Sequence, residues 1–151
     1  MSALASIEIP CDAAFCWALL ADPLLAPEWI AGVAEAEVLE RDAEGRATRV
    51  RFVGMPSAAS MVYEMAYQYD PGGRRMEWVT AGEADRRLEG EAWIEELGPG
   101  RCQLHYAMTS SASGSLPYWA RDSLADDTPA RVVRAFQRLA ERRAAAAARD
   151  R

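Results

Sequence analysis

The strongest constraint on the fold is a run of six segments between residues 33 and 111 in which apolar and polar residues alternate. Alternation with period two is typical of strands that bury one face of a sheet and expose the other. Short turns such as "DAEG", "DPGG" and "GPG" separate neighbouring segments, which favours an antiparallel meander. With a first strand at 4–9, the predicted strands are 33–42, 46–54, 60–70, 74–82, 87–97 and 101–111.

Two short helical patterns follow the first strand. Asp12 is placed to cap a helix that carries Phe15, Leu19 and Leu20 on one side. The stretch "PLLAPEWI" then predicts a second short helix or turn that presents Trp29. Both elements precede the strand at 33–42, so they lie between strands 1 and 2.

A C-terminal helix is predicted for residues 115–150, with an apolar stripe that contains Phe136 and Leu139. It is the only helix long enough to cover the apolar face of the sheet, and a sheet has to bury that face. The sequence therefore predicts one α+β domain over residues 1–151. In this domain the long helix covers the apolar face of a curved antiparallel sheet of about seven strands.

Composition narrows the classes of function. The 151 residues carry a net charge of −6, so the broad positive surface of a nucleic-acid-binding protein is absent. All 17 basic side chains are arginine, which excludes a lysine Schiff base. No apolar run approaches the ~20 residues of a membrane-spanning helix, and "MSALASIEIP" lacks the features of a secretory signal. We expect a cytoplasmic protein.

The candidate metal ligands are few. Cys11, Cys16 and Cys102 form no CxxC pair, and His105 is the only histidine, which argues against a zinc site or a disulfide framework. There is no phosphate-binding glycine loop or catalytic triad pattern. We therefore expect reduced, structural cysteines and no cofactor. Alternation places His105 on the solvated face, although a shift of one residue in register would turn it inward.

One strand has an unusual inward face. In "SMVYEMAYQYD", period two places Met61, Tyr63, Met65, Tyr67 and Tyr69 together. A close-packed core favours branched aliphatic side chains, whereas a ligand cavity favours aromatic and apolar walls with a few polar groups. Thioethers adapt to the shape of a ligand, and phenols offer hydroxyl groups. The face indicates either a cavity wall or a core rich in tyrosine and methionine.

The opposite face of the sheet carries complementary charges that can pair across strands. It is predicted to be solvated surface. Trp93 also lies on this face, where it indicates either a contact with a partner or a site covered by the C-terminal tail. The predicted pairs join Arg49, Arg51, Arg75 and Arg87 to Glu64, Glu77, Glu89 and Glu91.

Several local phrases occur in a recognisable order along essentially the whole chain. They are "IEIPCDAAFCWALLADPLLAPEWIAGVAEAEVLE", "YEMAYQYDP", "LEGEAWIEELGPGRCQLHYAM" and "LPYWAR", followed by the closing helix. This order resembles the START-like superfamily, also called SRPBCC, and within it the polyketide cyclase/dehydrase and lipid-transport group. The resemblance implies the helix-grip fold, in which a cavity for a hydrophobic small molecule lies between the sheet and the long helix.

The resemblance makes the unusual strand face a predicted cavity wall. Gly90 would leave volume for a ligand, Trp29 would lie near the mouth, and the small-residue loop at 54–60 would be placed to gate it. The residues predicted to contact the ligand are Trp29, Phe52, Met61, Tyr63, Met65, Tyr67, Tyr69, Trp78, Gly90, Tyr106, Met108, Tyr118 and Trp119.

The resemblance also raises the question of catalysis. Some members use an inward arginine on the strand that here reads "YEMAYQY", and this chain has Tyr69 at that position. The predicted inward faces contain no arginine, histidine or carboxylate, and an ordinary phenol with a pKa of ~10 is a poor base at neutral pH. The first hypothesis is therefore a protein that binds or carries a polyketide-, aromatic- or lipid-like molecule. The alternative is a polyketide cyclase, aromatase or dehydratase, with no catalytic residue assigned.

The C-terminal helix is basic in an acidic protein. From Pro129 to Arg151 the sequence contains seven arginines and two acidic residues. A solvated helix end accounts for them, because cations are favoured near a helix C-terminus. An acidic partner, a second copy of the chain or an anionic membrane surface is the alternative. A protein-interaction module is accordingly the third hypothesis.

Overall fold

The computed structural model describes residues 2–30, 33–54, 62–71, 73–81, 86–112 and 129–149. The strands are β1 (Ser2–Ile9), β2 (Val33–Arg41), β3 (Ala47–Gly54), β4 (Val62–Tyr69), β5 (Arg75–Thr80), β6 (Arg86–Gly98) and β7 (Arg101–Ala112). They form one antiparallel sheet in the order β1-β7-β6-β5-β4-β3-β2. The predicted meander from β2 to β7 is confirmed, and β1 forms the far edge by pairing with β7.

The helices are α1 (Ala13–Leu20), α2 (Ala26–Trp29) and α3 (Pro129–Arg149), and a 3-10 turn at Pro23–Leu25 precedes α2. The two predicted short helical elements between β1 and β2 are therefore confirmed. The predicted helical residues 115–128 lie outside the described residues. No described helix is both long and apolar enough to cross a membrane.

The start of α1 differs from the prediction. Asp12 holds the N-cap position, but its side chain makes no capping hydrogen bond to the helix. Asp12 Oδ1 instead accepts a hydrogen bond of 2.7 Å from the backbone N–H of Gly100. The predicted side-chain cap is wrong, because this carboxylate joins the start of α1 to the β6–β7 turn.

The buried face of α1 brings the cysteines into the core. Leu20 is buried as predicted, whereas Phe15 and Leu19 are only half-buried, and Cys16, which was not assigned to this side of the helix, is fully buried. Cys11, Cys16 and Cys102 are all buried free thiols. Burial raises the pKa of each thiol above its ordinary value, so the thiols stay neutral and unreactive. This agrees with the predicted structural role.

Helix α3 packs against one side of the inner face of the sheet. Among the described residues its main sheet contacts are with β1 and β7, and it also contacts α2. Among the described residues, the inner faces of β3, β4 and β5 make few contacts with α3. The buried stripe of α3 is the predicted one: Val132, Val133, Phe136, Leu139 and Ala140.

The outer face of the sheet carries several of the predicted ion pairs. Arg51 differs from the prediction, because Glu37 of β2 lies directly opposite it. The side chain of Arg87 lies outside the described residues. The side chains of these pairs are about one third or more exposed, so this face is solvated surface. Exposed pairs of this kind contribute ~0–1 kcal/mol each. The pairs are Arg49–Glu64 (2.6 Å), Arg51–Glu37 (3.7 Å) and Arg75–Glu91.

Candidate functional site

Aromatic rings from six elements follow one another along the inner side of the sheet. The ring centroids of Phe136 on α3 and Trp29 on α2 are 5.2 Å apart. Trp29 lies 6.4 Å from Tyr106 on β7, and Tyr106 lies 5.3 Å from Trp78 on β5. These separations are within the range in which aromatic pairs attract each other.

The row of rings continues from Trp78 to the opposite end of the site. Trp78 lies 6.2 Å from Tyr67, Tyr67 lies 6.5 Å from Tyr69, and Tyr69 lies 6.3 Å from Trp17 on α1. Beside this row, Phe52 and Tyr63 form a further pair at 5.6 Å. We call the continuous row the aromatic wall: Phe136, Trp29, Tyr106, Trp78, Tyr67, Tyr69 and Trp17.

Strand register explains why these rings meet. Tyr67 of β4 lies opposite Trp78 of β5, and Trp78 lies opposite Gly90 of β6. Gly90 in turn lies opposite Met108 of β7. Paired residues point to the same face, so a single cross-strand row supplies neighbouring parts of the site.

Gly90 does not leave the empty volume that was predicted. A Cβ atom added to Gly90 would overlap Cε2 and Cζ2 of the Trp78 ring. The ring of Trp78 therefore already occupies the space that the missing side chain makes available. Gly90 shapes the site indirectly, by allowing Trp78 to lie close to the sheet.

The tyrosines of β4 keep accessible surface although they lie on the inner face. Tyr63, Tyr67 and Tyr69 are half-buried, and so is Met108 on β7. Burial raises the pKa of Tyr67 well above its ordinary value, and the neighbouring Tyr106 adds to the shift. The side chain of Tyr67 thus keeps some accessible surface, although its hydroxyl group lies in desolvated surroundings.

Tyr69 has a structural contact at the end of the aromatic wall. Its hydroxyl donates a hydrogen bond of 2.6 Å to the carbonyl oxygen of Ala47. The guanidinium of Arg46 lies 4.9 Å from the centroid of its ring. Burial raises the pKa of Tyr69 to about 12, although the positive charge of Arg46 opposes this shift. The hydroxyl of Tyr69 is thus engaged in joining β4 to β3.

Trp29 contributes a buried polar atom to the aromatic wall. Its side chain is only 6% exposed. Its Nε1 atom is buried and has no hydrogen-bond partner. Buried indole N–H groups usually find an acceptor, and the protein itself supplies none to this one.

The described part of the site contains no buried charge. Among the described residues, every buried side chain is aliphatic, aromatic or sulfur-containing. The same residues contain no group of three or more histidine, cysteine or acidic side chains arranged to hold a metal ion. Such a lining fits a neutral, mostly apolar ligand, because a buried charge without a partner is unfavourable.

His105 lies on the outer face, as predicted. Its Nδ1 atom forms a hydrogen bond of 2.7 Å with Oγ of Ser6, and its ring stacks on Trp93 at 4.9 Å. The guanidinium of Arg75 lies 5.0 Å from the ring centroid of Trp93. Trp93 is therefore in contact with neighbours on the sheet and is half-buried. The sheet separates His105 from the aromatic wall.

A depression of about 470 Å³ on the outer face was not predicted. It forms where Ala66 of β4 and Ala107 of β7, two strands separated by β5 and β6, are flanked by Glu77 and Glu91. Arg75 pairs with both glutamates. The small residues themselves are visible in the sequence, but only the strand order and register show that they line one depression.

The structure brings together many of the predicted site residues that it describes, and the others lie outside the described residues. Met61, Tyr118 and Trp119 lie outside the described residues, as do most residues of the proposed gate at 54–60. Trp17 and Phe136 were not predicted as parts of the site. Phe136 was assigned to the apolar stripe of the long helix, and Trp17 lies on a helix face that the sequence pattern did not connect with β4.

A comparison with protein families gives a match over nearly the whole chain. The model described as "Polyketide cyclase / dehydrase and lipid transport" matches residues 2–148. A comparison with curated protein sequences gives no significant match.

Solved structures share the fold at low sequence identity, which confirms the predicted helix-grip architecture. A START superfamily protein from Mycobacterium smegmatis is 19% identical with a TM-score of 0.77, over 93% of this chain and 97% of that one. The Zhui aromatase/cyclase from Streptomyces sp. R1128 is 20% identical with a TM-score of 0.73, over 95% of both chains. Norcoclaurine synthase from Thalictrum flavum, in complex with dopamine and hydroxybenzaldehyde, is 14% identical with a TM-score of 0.63, over 92% of this chain and 85% of that one.

Proposed function

The chain belongs to the polyketide cyclase/dehydrase and lipid transport family, and from this premise we propose that it binds a neutral hydrophobic small molecule between the sheet and α3. The observation that carries the proposal is the environment of Tyr67. This side chain keeps accessible surface in dry surroundings, within a continuous row of aromatic rings. A cavity lined in this way binds apolar ligands through its walls and orients them through a few polar groups.

Native mass spectrometry of the freshly purified protein tests the proposal. We expect a discrete extra mass that disappears when the same sample is denatured, or saturable uptake of the neutral dye Nile red by the unliganded protein. Met108→Trp should reduce this uptake, because the larger ring would occupy the cavity. Leu4→Trp is the matched control, since Leu4 is 63% exposed. Absence of both the adduct and dye uptake would overturn the proposal.

The structure favours binding over catalysis. A phenol is already protonated at neutral pH, and burial raises the pKa of Tyr67 further, so its hydroxyl can donate a hydrogen bond but is a poor general base. In a binding protein, Tyr67→Phe should weaken affinity by about fivefold, the effect of one neutral hydrogen bond. In a cyclase of the kind considered above, the same change would reduce turnover or alter the products while binding persisted.

The basic face of α3 favours a second function, contact with an acidic protein partner. Arg131, Arg134, Arg138 and Arg142 are exposed and recur at intervals of three or four residues, so they form one row on the helix. We propose that this row is the contact surface.

We also propose that the protein is cytoplasmic. Its three buried free thiols would stay reduced in that compartment.

Charge removal tests the arginine row. Replacing Arg134, Arg138 and Arg142 by Gln should abolish retention on immobilised polyglutamate at low salt. Replacing Arg49, Arg51 and Arg101 by Gln removes the same charge from the sheet and should leave retention nearly unchanged. Equal loss in both variants would contradict the proposal. Binding to vesicles that contain phosphatidylserine, without retention on polyglutamate, would indicate a membrane surface instead.

A further inference from the structure

The unused N–H group of Trp29 points to a specific feature of the ligand. We infer that the ligand carries a carbonyl oxygen that accepts a hydrogen bond from Nε1 of Trp29. The inference rests on the proposed function and narrows its ligand class to neutral, ring-containing molecules with an acceptor oxygen.

Trp29 is distinctive among the described residues. Only one other buried side-chain nitrogen or oxygen in the described chain has no hydrogen-bond partner, Nε2 of His105. That atom lies on the outer face, 4.0 Å from Oε2 of Glu95. Nε1 of Trp29 is therefore the unpaired donor that belongs to the aromatic wall.

The indole of Trp29 is held in a fixed orientation. Its ring meets those of Tyr106 and Phe136 edge-on, at interplanar angles of 86° and 76°. Helix α2, which carries Trp29, is joined to α3 by the ion pair between Glu28 and Arg143, with an N–O distance of 2.7 Å. A donor held in this way loses little freedom when it binds an acceptor, which favours a directional contact.

The chemistry around Trp29 selects the class of acceptor. A hydrocarbon would leave the buried N–H group unpaired, which is unfavourable. A carboxylate or phosphate would bring a charge into a lining whose described residues offer no buried cation. A neutral carbonyl oxygen satisfies the donor without introducing a charge, and the rings beside Trp29 would contact the apolar body of the ligand.

The test compares a matched pair of ligands on matched variants. We would measure the dissociation constants of 2-acetylnaphthalene and 2-isopropylnaphthalene for the wild-type protein, for Trp29→Phe and for Trp93→Phe by isothermal titration calorimetry. Trp29→Phe should lower the ratio of ketone affinity to hydrocarbon affinity by roughly five- to tenfold. Trp93→Phe makes the same change on the outer face and should leave the ratio unchanged.

The outcomes separate this inference from the proposed function. An unchanged ratio in Trp29→Phe overturns the role of Trp29, while binding of both compounds still supports the cavity. Failure of the wild-type protein to bind either compound overturns both proposals.

A second measurement covers the case in which Trp29→Phe does not fold. In the wild-type protein, the assigned indole N–H resonance of Trp29 should shift downfield when the ketone is added and should not do so with the hydrocarbon. Identical shifts with both compounds would overturn the inference.

Discussion

The inner face of the sheet has two halves that differ in what covers them. Under α3, the inward residues Ile9 and Cys102 are fully buried, and so is Leu104. On β4, Tyr63 and Tyr67 keep accessible surface on the same side of the sheet. Both halves show the same period-two alternation, so alternation alone does not distinguish a packed core from a cavity wall. Side-chain chemistry and the position of the covering helix make that distinction.

The largest expected effect separates the two halves by stability. Leu104→Ala should lower the free energy of unfolding by about 2–5 kcal/mol, because it leaves a cavity in a fully packed region. In the proposed cavity wall, Tyr67→Phe should change it by less than about 1 kcal/mol, because the variant loses one hydroxyl group and keeps the ring. Urea denaturation of both variants measures the difference. Similar losses would mean that the β4 half is packed core, and the cavity would lose its main support.

The next effect concerns the contact between Gly90 and Trp78. Gly90→Ala should destabilise the protein by about 1–3 kcal/mol, because the added methyl group would displace the ring of Trp78. The near-UV circular dichroism of the tryptophans should weaken at the same time. Ala107→Val is the control, since it adds volume beside the outer depression. A more stable Gly90→Ala protein, as expected for a glycine without close neighbours in a strand, would contradict this packing.

The strands were predictable because each depends on local alternation and turn residues. The aromatic character of the site was also predictable, because the three tyrosines of β4 recur at every second residue. The contact of Trp78 with Gly90 was not, since it depends on pairing between strands. The bond from Gly100 to Asp12 joins residues far apart in sequence, and the unpaired Nε1 of Trp29 is defined by what surrounds it. Local patterns specify the elements, whereas tertiary contacts specify the polar groups of the site.

A smaller effect on stability is expected at alkaline pH. A buried phenol of the aromatic wall has a raised pKa, which an exposed phenol on an ordinary surface lacks. The folded-state pKa of Tyr69 is raised to about 12, above the unfolded value of ~10. The stabilisation by the neutral phenol is therefore fully present below pH ~10 and is lost as the pH rises through the folded-state value. Tyr69→Phe should lose less stability at alkaline pH than the wild-type protein, because it lacks this ionisable phenol. At neutral pH its free energy of unfolding should be lower by about 1 kcal/mol, because the hydrogen bond to Ala47 is lost. Denaturant midpoints measured as a function of pH test both parts, and an unchanged alkaline profile would contradict the assignment.

The smallest effect belongs to the outer face, which serves as the reference for the inner one. Arg49 and Glu64 form a pair of 2.6 Å with both side chains about one third or more exposed to solvent. A double-mutant cycle with Arg49→Gln and Glu64→Gln should give a coupling energy of ~0–1 kcal/mol, and salt should reduce it. Neither variant should alter the affinity for 2-acetylnaphthalene, because the sheet lies between this pair and the aromatic wall. A coupling energy above about 2 kcal/mol, or a change in ligand affinity, would show that the two faces are energetically linked. The separation of a structural outer face from a binding inner face would then no longer hold.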